Sequence, residues 1–126
     1  MTPFGRRVRD LRAERGISLA EMAQRLGVTP AYLSALEHGR RGRPTFTLIQ
    51  GTIHLLGIIW DEADELVRLA DLSHPRVIVD TAGLAPEATL LANRLSREVG
   101  QLTREELEAL TAVLDGAAAR VGSTSR

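Results

Sequence analysis

Ser18 and Thr29 each stand just ahead of a short run with helical apolar spacing. Each offers a side-chain oxygen where the start of a helix leaves backbone N–H groups unpaired. Glu21 follows Ser18 at the spacing of a capping box, and Pro30 follows Thr29 at the position where its missing N–H costs nothing. Gly27 lies between the two runs, and Arg40, Arg41 and Arg43 come directly after the second, around Gly42. The pattern is two short helices about one tight turn, with fixed positive charge just beyond.

Reading a base edge in duplex DNA needs a rigid rod whose end reaches about 8 Å into the major groove. A helix N-terminus supplies that rod, and its unpaired N–H groups also suit phosphate. The first helix of the pair must cross the backbone and hold the second at a steep angle. Ala23 meets that need, because a larger side chain there would push the helices apart, and Gly27 suits a turn that requires positive φ. The arginines after Gly39, with Gly42 for flexibility, suit phosphate contact.

Charge points the same way. The net charge is zero, but residues 1–60 hold nine arginines (Arg6, Arg7, Arg9, Arg12, Arg15, Arg25, Arg40, Arg41, Arg43) against four acids. Residues 61–126 hold seven arginines against twelve acids. A basic half beside an acidic half implies a polyanion partner for the first half only. All the basic residues are Arg, which forks onto phosphates and guanine edges as Lys does not.

Other chemistries find little support. There is no cysteine, hence no disulfide framework, thiol catalysis or thiolate zinc site. His38, His54 and His74 lack metal-ligand spacing, and no cofactor site is legible. Asp61, Glu62, Asp64 and Glu65 form a carboxylate cluster, but they sit where a helix N-terminus favours acids. No nucleophile triad or phosphate loop is visible, so an enzyme is not expected. No long apolar run suggests a membrane span, the N-terminus does not read as a secretory signal, and a cytoplasmic location is the simplest expectation.

The elements that must position these groups read as all-α. A first helix, about 3–15, carries Phe4, Val8 and Leu11 on one stripe, with arginines around the other sides. Helices led by Ser18 and Thr29 follow, the first facing inward through Leu19, Met22, Ala23 and Leu26, the second through Leu33 and Leu36. Glu37 is expected to pair with an arginine. A fourth helix, about 45–56, turns Leu48, Ile49, Ile53 and Leu56 inward, and a fifth, about 61–72, turns Leu66, Leu69 and Ala70 inward. Residues 76–80 are short and β-branched and suit an extended segment, with one short strand as a possibility. A sixth helix (86–99) and a seventh (103–120) carry apolar stripes of their own, and Leu107, Leu110 and Leu114 step at heptad spacing. Gly122 to Arg126 reads as a mobile tail.

Gly16-Ile17-Ser18, Met22-Ala23, Leu26-Gly27-Val28-Thr29, Leu33-Ser34 and Glu37-x-Gly39 together resemble the Cro/cI (XRE) helix-turn-helix family, and the likeness continues to about residue 60–70. The resemblance implies a five-helix domain that binds double-stranded DNA. It implies a phosphate contact at Ser18 and a groove-facing surface at Thr29, Pro30, Ala31, Tyr32, Ser34 and Ala35. His38, Arg40, Arg41 and Arg43 would flank that surface at the DNA backbone. Family members often carry Gln where this chain has Leu19, and the usual long amides are missing at Pro30 and Ala31. Direct readout is therefore thin, and loop arginines, DNA shape and bridging water should carry much of the discrimination.

The expected organisation is a DNA-binding domain over 1–72, a helical dimerisation extension over 73–121, and a tail over 122–126. Relatives bind as two-fold dimers on half-sites one turn apart, and Leu91, Leu95, Leu107, Leu110 and Leu114 are the candidates for a homodimer seam. The alternative for those helices is a larger monomer core. The expected activity is transcriptional regulation, with repression by occluding a promoter as the default. Two other readings stay open: an antitoxin whose residues 76–126 bind a toxin while the helix-turn-helix represses its own operon, and a protein-interaction module without DNA; residues 76–126 could equally take another regulatory protein.

Overall fold

The computed structural model describes the backbone of residues 1–124 and the side chains of residues 1–122. The described residues form α1 (Pro3–Arg15), α2 (Leu19–Leu26), α3 (Pro30–Glu37), α4 (Phe46–Leu56), α5 (Trp60–Asp71), α6 (Pro86–Glu98) and α7 (Arg104–Thr124). A 3-10 turn, Val99–Gln101, follows α6. The chain divides into two compact units, one through Ile78 and one from Val79 onward.

Side-chain caps set the helix starts of the first unit. The hydroxyls of Thr2, Ser18, Thr29 and Thr45 accept from the backbone N–H three residues on, at Gly5, Glu21, Tyr32 and Leu48. Helix α5 is the exception: Ile59 precedes it without a side-chain cap, and Asp61 and Glu62 in its first turn meet the helix dipole instead. Trp60 opens that helix with φ 54° and lies in solvent.

The core forms where the apolar stripes of these five helices converge. Phe4, Val8 and Leu11 of α1 meet Met22 and Ala23 of α2, Leu33 of α3, Ile49 and Leu56 of α4, and Leu66 and Ala70 of α5, with Ile58 closing it from the α4–α5 connection. Burying a large apolar side chain of this kind stabilises by about 1.5–3 kcal/mol. Ile53 and Leu69, expected inward, are half-buried against this core. Arg15 donates from Nε to the carbonyl of Leu56 at 2.7 Å, which satisfies an end of α4 from α1.

Three small residues are buried for reasons particular to each. Thr52 is fully buried, and its hydroxyl donates to the carbonyl of Leu48 one turn back. The buried Ser73 donates to the carbonyl of Leu69 and accepts from the N–H of Phe4 at 2.9 Å, joining the end of α5 to the start of α1. At Gly5, α1 crosses the end of α3 so closely that an added Cβ would lie 2.2 Å from the carbonyl oxygen of Glu37. The obstruction is backbone and cannot rotate away. Gly5→Ala is expected to cost about 3 kcal/mol, the upper part of the range for overpacking, read as a lower urea midpoint with an unchanged m-value.

The second unit is helical throughout its described secondary structure. Thr103 and Glu106 form a complete capping box: the Thr103 hydroxyl accepts from Glu106 N–H at 3.1 Å, and the Glu106 carboxylate accepts from Thr103 N–H at 2.9 Å. None of the unit's described residues is buried, so α6 and α7 do not build a monomer core of their own.

Two expectations need correction. Residues 76–80 form no strand; Val77, Ile78 and Val79 are exposed, and β-branched propensity without a ladder partner does not make a sheet. The expected tail begins too early, since α7 continues through Gly122 to Thr124. Residues 125 and 126 lie outside the described part of the chain. No helix among the described residues is long and apolar enough to cross a membrane.

Candidate nucleic-acid interface

The α2–turn–α3 unit is held by a buried contact and a glycine. Ala23 is wholly inaccessible and sits beside Met22 under α3, as the need for a close crossing requires. Gly27 takes φ 72°, a left-handed conformation in which a side chain would be strained. Its neighbour Val28 donates N–H back to the carbonyl of Ala23 at 3.0 Å, which ends α2 and aims the chain at the start of α3.

At the head of α2, Ser18 is exposed and its hydroxyl accepts from Glu21 N–H. The Glu21 carboxylate turns to Arg25 at 3.6 Å, in place of the reciprocal bond of a full capping box. At the head of α3, Thr29, Pro30 and Ala31 are all exposed, while Tyr32, Ser34 and Ala35 are half-buried. The outward end of α3 is therefore its first turn, and the helix sinks into the core through Leu33 and Leu36.

The cations expected to flank this surface divide into two kinds. Arg40 and Arg41 are exposed, and neither has an acidic partner among the described residues. Arg41 lies over the Tyr32 ring, 5.4 Å from its centroid, a cation–π contact that ties the loop to α3. Arg43 instead donates from Nε to Asp71 Oδ1 at 3.0 Å, with a second guanidinium N–H on the same oxygen and a third on the carbonyl of Pro44. His38 is exposed and donates from Nδ1 to the carbonyl of Ser34 at 2.8 Å, so its ring lies along the last turn of α3.

The helix-1 arginines also separate. Arg12 is buried and places one guanidinium nitrogen 3.0 and 2.9 Å from the two carboxylate oxygens of the buried Glu37. Arg12 Nε is buried without a hydrogen-bond partner among the described residues. Burial pushes the Glu37 carboxyl above its ordinary range, against the opposing pull of Arg12. Arg7 pairs with Glu62 at 3.6 Å. Arg6 and Arg9 are exposed.

A groove that the residue pattern did not reveal runs beside the head of α3. Gly27, Thr29 and Tyr32 line it on one side, and Thr45 with Thr47 and Gly51 of α4 on the other. Thr45 caps α4, and Gly51 lets that helix close on α2, since a Cβ there would meet Leu26 at 2.9 Å. The groove thus brings the head of α4 beside the head of α3 and the end of α2. The cue in the sequence was Thr45, an N-cap residue directly after the basic loop.

The candidate seam residues of the second unit are all solvent-accessible: Leu91 54%, Leu95 37%, Leu107 40%, Leu110 40% and Leu114 70%. Leu90, Val99 and Val113 are exposed with them.

A family model described as "Helix-turn-helix domain" matches residues 3–72. The HTH-type transcriptional regulator RamB of Mycobacterium tuberculosis is 45% identical over 51 residues, covering 40% of this chain and 11% of RamB. The HTH-type transcriptional regulator SinR of Bacillus licheniformis is 31% identical over 66 residues, covering 49% of this chain and 60% of SinR. The matched segment is thus a small part of RamB and under two thirds of SinR. A solved chain from a SinR protein/SinI protein complex matches at TM-score 0.41 and 22% identity, over 79% of this chain and 99% of that chain.

Proposed function

The chain belongs to the helix-turn-helix domain family, of the Cro/cI-like kind, and we propose that it is a sequence-specific regulator of transcription that binds double-stranded DNA as a homodimer and represses by occluding a promoter. The observation that carries this reading is the exposed first turn of α3, with Arg40 and Arg41 beside it and without acidic partners among the described residues.

In the proposed mode, α3 enters the major groove by its N-terminal turn. Thr29 and Ala31 present a methyl-sized surface to thymine, and Tyr32 and Ser34 present hydroxyls. Ser18 and the N–H groups at the head of α2 meet one phosphate, and Arg40 and Arg41 meet others. No long amide faces the bases, so base discrimination draws on DNA shape and bridging water as well.

The dimer reading draws on the second unit. Helices α6 and α7 carry large apolar residues and bury none of them, a state that a second copy of the same helices would relieve. Two-fold pairing would then set two α3 helices on half-sites one DNA turn apart. A toxin on the same face would make the chain an antitoxin, and the toxin would co-purify from the native host.

Sequencing genomic fragments bound by the purified protein tests this function. The expected result is enrichment of paired half-sites separated by about 10 bp. The double variant R40A/R41A should bind more weakly on every fragment, with the slope of log K against log salt shallower by about 1.8, the value for two lost phosphate contacts. No enrichment, or binding indifferent to salt, would overturn the reading.

A further inference from the structure

We propose that Asp71 sets the strength of DNA binding by holding Arg43 away from phosphate. This rests on the DNA-binding function proposed above and adds a residue that no base or phosphate need touch. Arg43 follows α3 closely, in the same basic loop as Arg40 and Arg41, yet its guanidinium is spent on the last residue of α5.

The loop does not need this pair to keep its place. Its first residue, Arg40, donates N–H to the carbonyl of Ala35 at 2.9 Å, and Pro44 at its far end is fully buried. Between these anchors Gly42 takes φ 77° with open space where a Cβ would be, so no side chain crowds the backbone beside Arg43. Both partners are substantially exposed, with side-chain accessibilities of 39% for Arg43 and 58% for Asp71. An exposed pair of this kind is weak and exchangeable. A phosphate oxygen offers Arg43 the same fork geometry that the Asp71 carboxylate now occupies. Asp71 therefore competes with DNA for one cation of the loop.

The test compares the full-length wild type with D71N, R43A and R43A/D71N on one mixed-sequence duplex of about 30 bp, over a salt series near 50–200 mM. D71N is expected to bind about threefold tighter, in line with the loss of one exposed ion pair, and its salt slope should steepen by up to about 0.9. R43A should cost little in the wild-type background and should remove the whole gain in the D71N background. D71N binding that is unchanged or weaker would overturn the proposal. So would a gain that persists in R43A/D71N, since that gain would come from general charge and not from Arg43. Failure of the wild type itself to bind would overturn the DNA-binding reading instead. Thermal melts of the four proteins should coincide within a few degrees, as expected for changes at an exposed pair.

Discussion

Glu37→Ala is expected to destabilise the first unit by about 3–5 kcal/mol, the usual consequence of leaving one member of a buried ion pair without its partner. For a unit of this size the melting temperature should fall by more than about 15 °C. The cause is local. Arg12 reaches from α1 to α3 with one nitrogen already lacking an acceptor among the described residues, and removing the carboxylate strands the rest of the charge in the interior. The double variant R12M/E37L should behave in the opposite way. Replacing both charges with apolar groups of similar volume is commonly neutral or stabilising, so its urea midpoint should lie at or above that of the wild type. A Glu37→Ala protein as stable as the wild type would remove the pair from any account of how α3 is held.

The same carboxyl gives a pH dependence with a definite sign. Burial raises the pKa of Glu37 in the folded state. Its unfolded value is about 4.3. Between those two values the folded protein binds more protons than the unfolded chain, so stability falls as pH rises. The contribution is fully present below the unfolded value and is lost as pH rises through the folded one. Glu37→Gln should flatten this part of the stability profile, measured as the urea midpoint against pH in the acid range.

The second large effect concerns the helices beyond Ile78. All the buried apolar residues of the described chain lie in the first unit, between Phe4 and Ala70. Truncation after Ile78 should therefore leave a folded domain with an unchanged helix-turn-helix. It should also turn a dimer into a monomer in sedimentation at micromolar concentration. Affinity for a two-half-site duplex should fall by about a hundredfold or more, because the second half-site no longer benefits from a tethered α3. A full-length protein that sediments as a monomer, with DNA affinity equal to that of the truncated one, would overturn the homodimer.

What the sequence made legible follows from what is local. Ser18, Thr29 and Pro30 announce helix starts by chemistry that acts within one turn, and α1 runs over the expected residues. Phe4, Val8, Leu11, Met22 and Leu66 stand on the expected stripes because their spacing records the inward face. The features that escaped are tertiary. Gly5 is needed only because another backbone passes over it. Ser73 is buried because its hydroxyl bridges two helices distant in sequence, and apolar periodicity is blind to such a residue. Arg12 looked like one more arginine on a basic helix, and only the fold brings Glu37 to it. Arg43 and Asp71 illustrate the same limit at the candidate site: the loop's charge was visible, and its neutralisation by α5 was not.

The Ser73–Phe4 hydrogen bond has a consequence for the architecture of the whole polypeptide. It brings the chain's entry into the first unit and its exit within one bond of each other, at 2.9 Å. A domain with adjacent ends behaves as a portable cassette: other segments can be spliced before or after it without prising the core apart, and circular permutation is tolerated. Joining the two ends by a short peptide and reopening the chain elsewhere would leave every core contact in place. Segments attached beyond Ile78 can therefore be exchanged without disturbing the core of the first unit.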